Sequence, residues 1–485
     1  MTIPEISWIA VFPELILGLG AAAVLLVEVQ WKPETRVLGT VSAGAIVLAS
    51  AFTVLQWVQA GDAVALGQGD DLVAFSGLVL VDGLAVFARF ALLAVTGFGL
   101  LAGWRYIASL GRRSAEAIAL VLLATAGFSI MVASNNLVMM FLGLEVGSIA
   151  LYVLAGMSRE RARSDEAAIK YFLLGSFASA LFIYGVALLY AGTGEFEILA
   201  MEGFLTDFVV LSPTVILIGL GLVVVGLGFK VSAAPFHSWA PDVYQGAPAG
   251  VVGYMAAIAK IAGFIAIARI LMVGLSSLEA NWLPIVAAIA ALSMLVGAFL
   301  ALVQGDVRRM LAYSGVAHAG FIMTGVVGGT TEGILFYLVV YSLQLVGAFA
   351  VAAAVSGADN SESSIDAYRG LSRRSPFLAG SFTVLLLGMA GLPVTSGFIA
   401  KFGVFAEAWS GGFEWLVILA VLASVVAFAF YLRIIVVMYM DDSDAADVEV
   451  PGTSRWVLAV AVGTTLLWGV LPGSLLSLAA DALPL

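Results

Sequence analysis

Stretches of about twenty apolar residues, separated by short polar connections, recur along the whole chain and set the first expectation for its structure. A helix needs about 20 mostly apolar residues to cross a bilayer, so roughly fourteen spans account for nearly the entire length. They fall near 8–30, 36–58, 78–103, 115–133, 135–157, 167–191, 212–245, 247–272, 281–303, 309–328, 331–356, 377–411, 414–439 and 456–480. The seventh and twelfth segments, at about 34 residues, are too long for simple crossings, and each carries Pro and Gly near its middle. Both are expected to be discontinuous helices. The first run, from Ile9 to Val29, is too long for a signal-peptide core and lacks a basic start or a small-residue cleavage site, so it is expected to stay as the first helix. The fold class is therefore an all-α membrane protein, a single integral membrane domain over 1–485. Three helices lie in 1–103, two five-helix blocks in 115–272 and 281–439, and a last helix in 456–480.

The polar connections carry an orientation signal. Loops after the odd-numbered spans 1, 3, 5, 9, 11 and 13 hold Lys32, Arg36, Arg105, Arg112, Arg113, Arg159, Arg161, Arg163, Arg308, Arg309, Arg369, Arg373, Arg374 and Arg455. The alternate loops hold no basic residue and instead carry Asp62, Asp70, Asp71, Glu195, Glu197, Glu202, Asp207, Glu279, Glu332 and Glu414. By the positive-inside rule the first set faces the cytoplasm, which puts both termini on the outer side. One misplaced helix would scramble the alternation.

Composition narrows the function classes. With 62% hydrophobic and 11% charged residues and a mean hydropathy of +1.10, lipid is the main solvent and no sizeable soluble domain remains. The chain has no cysteine, which excludes thiolate iron–sulfur and zinc sites and disulfides. A net charge of −11 without a basic run offers nothing for nucleic acid. No nucleotide fingerprint, metal-ligand cluster or base-paired nucleophile is visible.

Against this background, ionisable residues inside the spans stand out: Glu145, Lys230, Lys260, His318 and Lys401. Insertion scales put a lysine at mid-membrane at roughly 2.5–3.5 kcal/mol, so three of them are expected to face one another, water or a protein cavity. Proton transfer is the simplest reason to keep them. Each also has a plainer reading. Glu145 with Lys230 could be a structural salt bridge, His318 a neutral core histidine, and Lys401 a cap on carbonyls exposed by the second interruption. Lys170 and Arg433, near cytoplasmic ends, read as interfacial anchors, and Arg89 and Arg269 lie toward the other side. Lys170 is an accessory candidate for proton entry, and His237 for lining the first interruption. The blocks 115–272 and 281–439 are candidate inverted repeats, Glu145 corresponding to His318 and Lys230 to Lys401, although each lysine lies on a different side of its break.

The stretches LVMMFLGLEVGSIALYVLAG, AAIKYFLLGSFASALFIYGVALLY, GLGFKVSAAPFHSWAPDVYQGAPAG and GLPVTSGFIAKFGVF resemble the antiporter-like membrane subunits of bacterial respiratory complex I, the proton-pumping NADH:quinone oxidoreductase. PFHSWAPD is similar to a core shared across the wider superfamily, and the VYQGAP ending resembles the subunit N branch. The resemblance implies fourteen helices, inverted half-channels and a charged mid-membrane axis in which Glu145, Lys230, Lys260, His318 and Lys401 match the family's positions. It implies no cofactor in this chain, with NADH, flavin, iron–sulfur clusters and quinone held by partner subunits. The partners it implies are neighbouring antiporter-like subunits, other membrane subunits and lipid, in the bacterial inner membrane. One departure is PAGVVGYM after VYQGA, where the family more often has a second proline and a threonine or serine. Rival readings are a subunit of a multisubunit cation/proton antiporter or membrane-bound hydrogenase, and a small-solute secondary transporter. A scaffold would have little use for buried lysines.

Overall fold

The structure is a computed structural model that describes residues 7–65, 73–158, 162–208, 213–357, 363–443 and 445–482. Asp70, Asp71, Arg159 and Arg161 of the orientation signal lie outside the described residues, as do the side chain of Asp62 and both chain ends. Among the described residues twelve helices are long and apolar enough to cross a membrane, and two shorter apolar helices, Thr214–Lys230 and Pro376–Ala390, accompany them. Among the described residues the architecture is all-helical apart from one small hairpin pairing Val73–Ala74 with Val79–Leu80.

Helix ends follow local chemistry. The third span begins at Gly83, not near 78, because Phe75, Ser76 and Gly77 turn the chain at positive φ and the Asp82 side chain accepts from the Ala85 amide at 2.9 Å. Asn136 caps Leu137–Ala155 and Asp306 caps Val307–Val327 in the same way. The final segment divides at Pro472 into Gly452–Val470 and Gly473–Ala480.

Burial separates centre from rim. Val307–Val327 and Thr331–Ser356 are 94% buried over their most apolar stretch and Ala249–Gly274 is 89% buried, whereas Thr35–Gly61 is only 22% buried. Three central helices thus form the core against which the others lean, and Lys260 and His318 sit on two of them.

The long seventh and twelfth segments are indeed broken. Thr214–Lys230 stops and the chain resumes as Trp239–Gly246, with Ser232 at φ 60° and Pro235, which has no amide hydrogen, between them. Pro376–Ala390 stops at Gly391, φ 85°, and restarts as Ser396–Ser410. Glycine is required where that restart approaches the first half, since a Cβ at Gly397 would overlap the Gly388 carbonyl.

Candidate functional site

Lys230 is the last residue of its helix and only 3% exposed. Its ammonium donates to Ser148 Oγ at 2.8 Å and stands 4.6 Å from the centre of the Phe128 ring. Ser148 lies three residues after Glu145 on Leu137–Ala155, so the two share a helix face. Glu145 acts on Lys230 electrostatically, but a hydroxyl and not its carboxylate holds the ammonium. Glu145 itself is half-buried beside an outward stripe of Leu142, Val146, Ile149 and Val153, and its buried Oε1 has no hydrogen-bond partner. A cavity of about 10 Å³, close to the room one water needs, is lined by Ser148, Tyr152, Ser179 and Lys230.

Lys260 reaches across the centre. Its ammonium donates to the Val231 carbonyl at 2.7 Å, in the turn just after Lys230, and to the Gly315 carbonyl at 2.9 Å, one turn before His318. His318 is enclosed by aromatic groups: Nδ1 pairs with the Tyr337 hydroxyl at 2.9 Å, Nε2 faces the Tyr431 hydroxyl at 3.4 Å, and the Tyr341 ring stacks on it at 4.3 Å. The Tyr431 hydroxyl also shares a short hydrogen bond with Ser314. Lys260 and Lys401 both act on the His318 ring electrostatically. Lys401, 5% exposed, donates to the Ala390 carbonyl at 2.8 Å, faces Ser424 Oγ at 3.3 Å and lies 4.6 Å from the centre of the Phe321 ring. It forms the floor of a groove of about 380 Å³ whose rim is apolar, with Leu392, Phe402 and Val425 exposed.

The backbone groups freed by the breaks find protein partners. Lys260 takes the Val231 carbonyl, Trp239 Nε1 takes that of Phe229 at 3.0 Å, and the Ala234 amide donates to Ser293 Oγ at 2.8 Å. At the second break Lys401 takes the Ala390 carbonyl and Thr395 Oγ that of Leu392 at 2.6 Å. Capping and carrying are thus compatible roles for these lysines.

The accessory candidates separate. Lys170 is 41% exposed and donates to Asp242 and Glu166 at 2.7 Å each, while the other Asp242 oxygen accepts from Arg309 at 2.6 Å. Asp242 lies on the short helix after the first break, so one carboxylate ties that helix to both blocks. His237 is half-buried, 6.2 Å from the Tyr313 ring, and its buried Nδ1 has no hydrogen-bond partner.

Arg89 and Arg269, expected to lie toward the side opposite Lys170 and Arg433, are each 1% exposed and paired. Arg89 meets Glu14 at 2.7 Å, with Gln56 and Ser129 completing the cluster, and Arg269 grips both oxygens of Asp82 at 2.9 and 2.7 Å. The available signal was an arginine inside an apolar run with an acid at matching depth on another span. Among the described residues no group of three or more His, Cys, Asp or Glu is arranged to hold a metal ion.

The model of a transmembrane family described as NADH:quinone oxidoreductase/Mrp antiporter matches residues 134–427, which include all five ionisable candidates. The chain belongs to this family. NADH-quinone oxidoreductase subunit N 1 of Solibacter usitatus is 39% identical over 97% of this chain and 96% of its own. A chain of respiratory complex I from Thermus thermophilus, solved with bound aureothin, superposes with a TM-score of 0.80 at 32% identity, covering 96% of this chain and 99% of that one. A chain of the Mrp complex from Dietzia shares the fold at a TM-score of 0.82 and 21% identity, over 97% of this chain and 96% of its own. Family membership and twelve long apolar helices make this a multi-pass membrane protein of the NADH:quinone oxidoreductase/Mrp antiporter family.

Proposed function

We propose that this chain is the N-type antiporter-like subunit of a bacterial proton-translocating NADH:quinone oxidoreductase and carries protons along Glu145, Lys230, Lys260, His318 and Lys401. The observation that carries the reading is the buried row itself: Lys230, the turn at Val231, Lys260, the Gly315 carbonyl and the aromatic cage of His318 follow one another through the core, with Lys401 beyond. Near-full-length likeness to a protein named subunit N, 39% identical, favours this assembly over a cation/proton antiporter, whose solved Mrp relative is only 21% identical. The full reading includes about fourteen crossings, two inverted repeats whose fourth members are the broken helices, both termini outside, and neighbouring membrane subunits as partners. The chain holds no redox group in this scheme, and quinone reduction elsewhere supplies the energy.

Glu145 is the switch. When its carboxylate swings toward Lys230, the ammonium is held protonated; when it withdraws, Lys230 gives up a proton, which passes by way of Lys260 and His318 toward Lys401. The lone Glu145 oxygen is suited to such movement, because no fixed hydrogen bond has to be broken first. Two states are needed, since a fixed ion pair pumps nothing. Lys401, at the floor of its groove, releases the proton outward or hands charge to a neighbouring subunit. In membranes carrying the assembled complex, Lys230→Ala is expected to abolish proton translocation through this subunit while leaving assembly intact. Full pumping stoichiometry in that variant would overturn the assignment.

A further inference from the structure

Four elements meet at one end of the bundle around a cavity of about 30 Å³, room for about two water-sized groups. It is bordered by Arg105 and Tyr106 just past the third span, by Ala249 and Gly250 at the start of Ala249–Ile267, by the end of Thr331–Ser356, and by Pro451 and Ser454 at the start of Gly452–Val470. Glycine brings the first two together, since a Cβ on Gly103 would overlap the Gly250 carbonyl oxygen. The lining favours an anion. Two helices of 19 residues open at the cavity, and each follows a proline, Pro248 or Pro451, which has no side-chain oxygen to cap the first amides. Their ends therefore present partial positive charge to the same space. Arg105 adds a full charge, being exposed and without an acidic partner among the described residues. Ser454 is an independent sign: it is 4% exposed, lines the cavity, and its hydroxyl has no hydrogen-bond partner among the described residues. A buried hydroxyl is costly to leave unmatched, so a ligand is expected to take it. Among the described residues no carboxylate lines the cavity. Trp456, two residues beyond Ser454 and 73% exposed, fits the level of a membrane interface, where indole rings collect and lipid headgroups lie.

We propose that this cavity binds a phosphate group, held by the Arg105 guanidinium, the Ser454 hydroxyl and the two helix N-termini. A guanidinium fork, a hydroxyl and helix-end amides are the donors that suit phosphate oxygens. The interfacial level makes the headgroup of an anionic membrane lipid the expected source, with free inorganic phosphate as the other. A bound headgroup would clamp the third span and the penultimate helix to Ala249–Ile267 and Thr331–Ser356, two of the central helices. The site lies apart from the row of buried lysines and stands whether or not that row carries protons.

The test is native mass spectrometry of the full-length chain, purified in a non-ionic detergent and titrated separately with phosphatidylglycerol and with inorganic phosphate. The first phosphatidylglycerol adduct is expected to need about tenfold more lipid in Arg105→Gln, the loss of one charge-assisted contact, and a smaller excess in Ser454→Ala. Arg36→Gln, which removes an exposed arginine elsewhere, is expected to leave that adduct unchanged. If inorganic phosphate alone forms the adduct that Arg105→Gln weakens, the site stands with a free anion as its ligand. Equal adducts in Arg105→Gln, Ser454→Ala and the unmodified chain overturn the proposal, as does an equal loss in Arg36→Gln. Should a variant fail to fold, a high-resolution map of the unmodified protein in phosphatidylglycerol nanodiscs decides: phosphate density within hydrogen-bond distance of both Arg105 and Ser454 Oγ supports the site, and its absence refutes it.

Discussion

An ammonium group in a lipid-spanning protein needs oxygen or an aromatic face on every side, and each buried lysine here finds them without a directly bound carboxylate. Lys230 uses Ser148 and Phe128, Lys260 two carbonyls, Lys401 a carbonyl, Ser424 and Phe321. Neutral partners stabilise the charge without locking it, whereas a tight buried ion pair resists losing one member by about 3–5 kcal/mol. Carboxylates are instead used where the short helix after the first break meets Lys170 and Arg309, which Asp242 joins. Asp242→Asn is expected to cost only roughly 1 kcal/mol of stability, because all three groups are partly exposed. Initial acidification rates, measured in vesicles beside thermal unfolding, should nevertheless fall if this cluster feeds protons to the first break. The sequence displayed the lysines themselves, since charges inside apolar runs are visible without coordinates. Their holders were not visible: Ser148 and Gly315 look like ordinary helix residues, and only tertiary packing brings them to an ammonium.

Elements show the opposite balance. The interrupted helices were legible from length and from Pro and Gly, because backbone chemistry is local; the hairpin before Gly83 and the seven-residue π-helical turn at Ala268–Gly274 were not. That turn carries Arg269, and an extra residue within a helical turn re-aims a side chain. Here the guanidinium meets Asp82, which also caps the third span. Arg269→Ala would strand a carboxylate that is 1% exposed, and a loss of about 3–5 kcal/mol is expected by calorimetry or by the denaturant midpoint. Arg269→Met combined with Asp82→Asn should recover much of it, because asparagine still caps and no lone charge remains. The second break carries Val394 at φ 76°, a left-handed conformation that a β-branched residue adopts only at a cost of about 1–2 kcal/mol. That price is met by packing: Gly469 of the penultimate helix approaches so closely that a Cβ there would lie 2.6 Å from the Thr395 backbone.

At the scale of the molecule, charge asymmetry gives a direct check of orientation. The chain has no native cysteine, so single Ser109→Cys and Asp207→Cys variants, both at exposed positions, report sidedness cleanly. A membrane-impermeant maleimide should label the first only from the cytoplasmic face and the second only from the outer face of oriented vesicles; the reverse would invert the topology. The central packing has a mechanical consequence as well. One side chain, Lys260, is anchored at its tip to the turn after Lys230 and to the helix that holds His318, so its ammonium links the first broken helix to the second block. Unwinding or tightening that turn must pull on the neighbouring helix or release the ammonium. A displacement of either helix therefore moves the ammonium at which a proton would be exchanged.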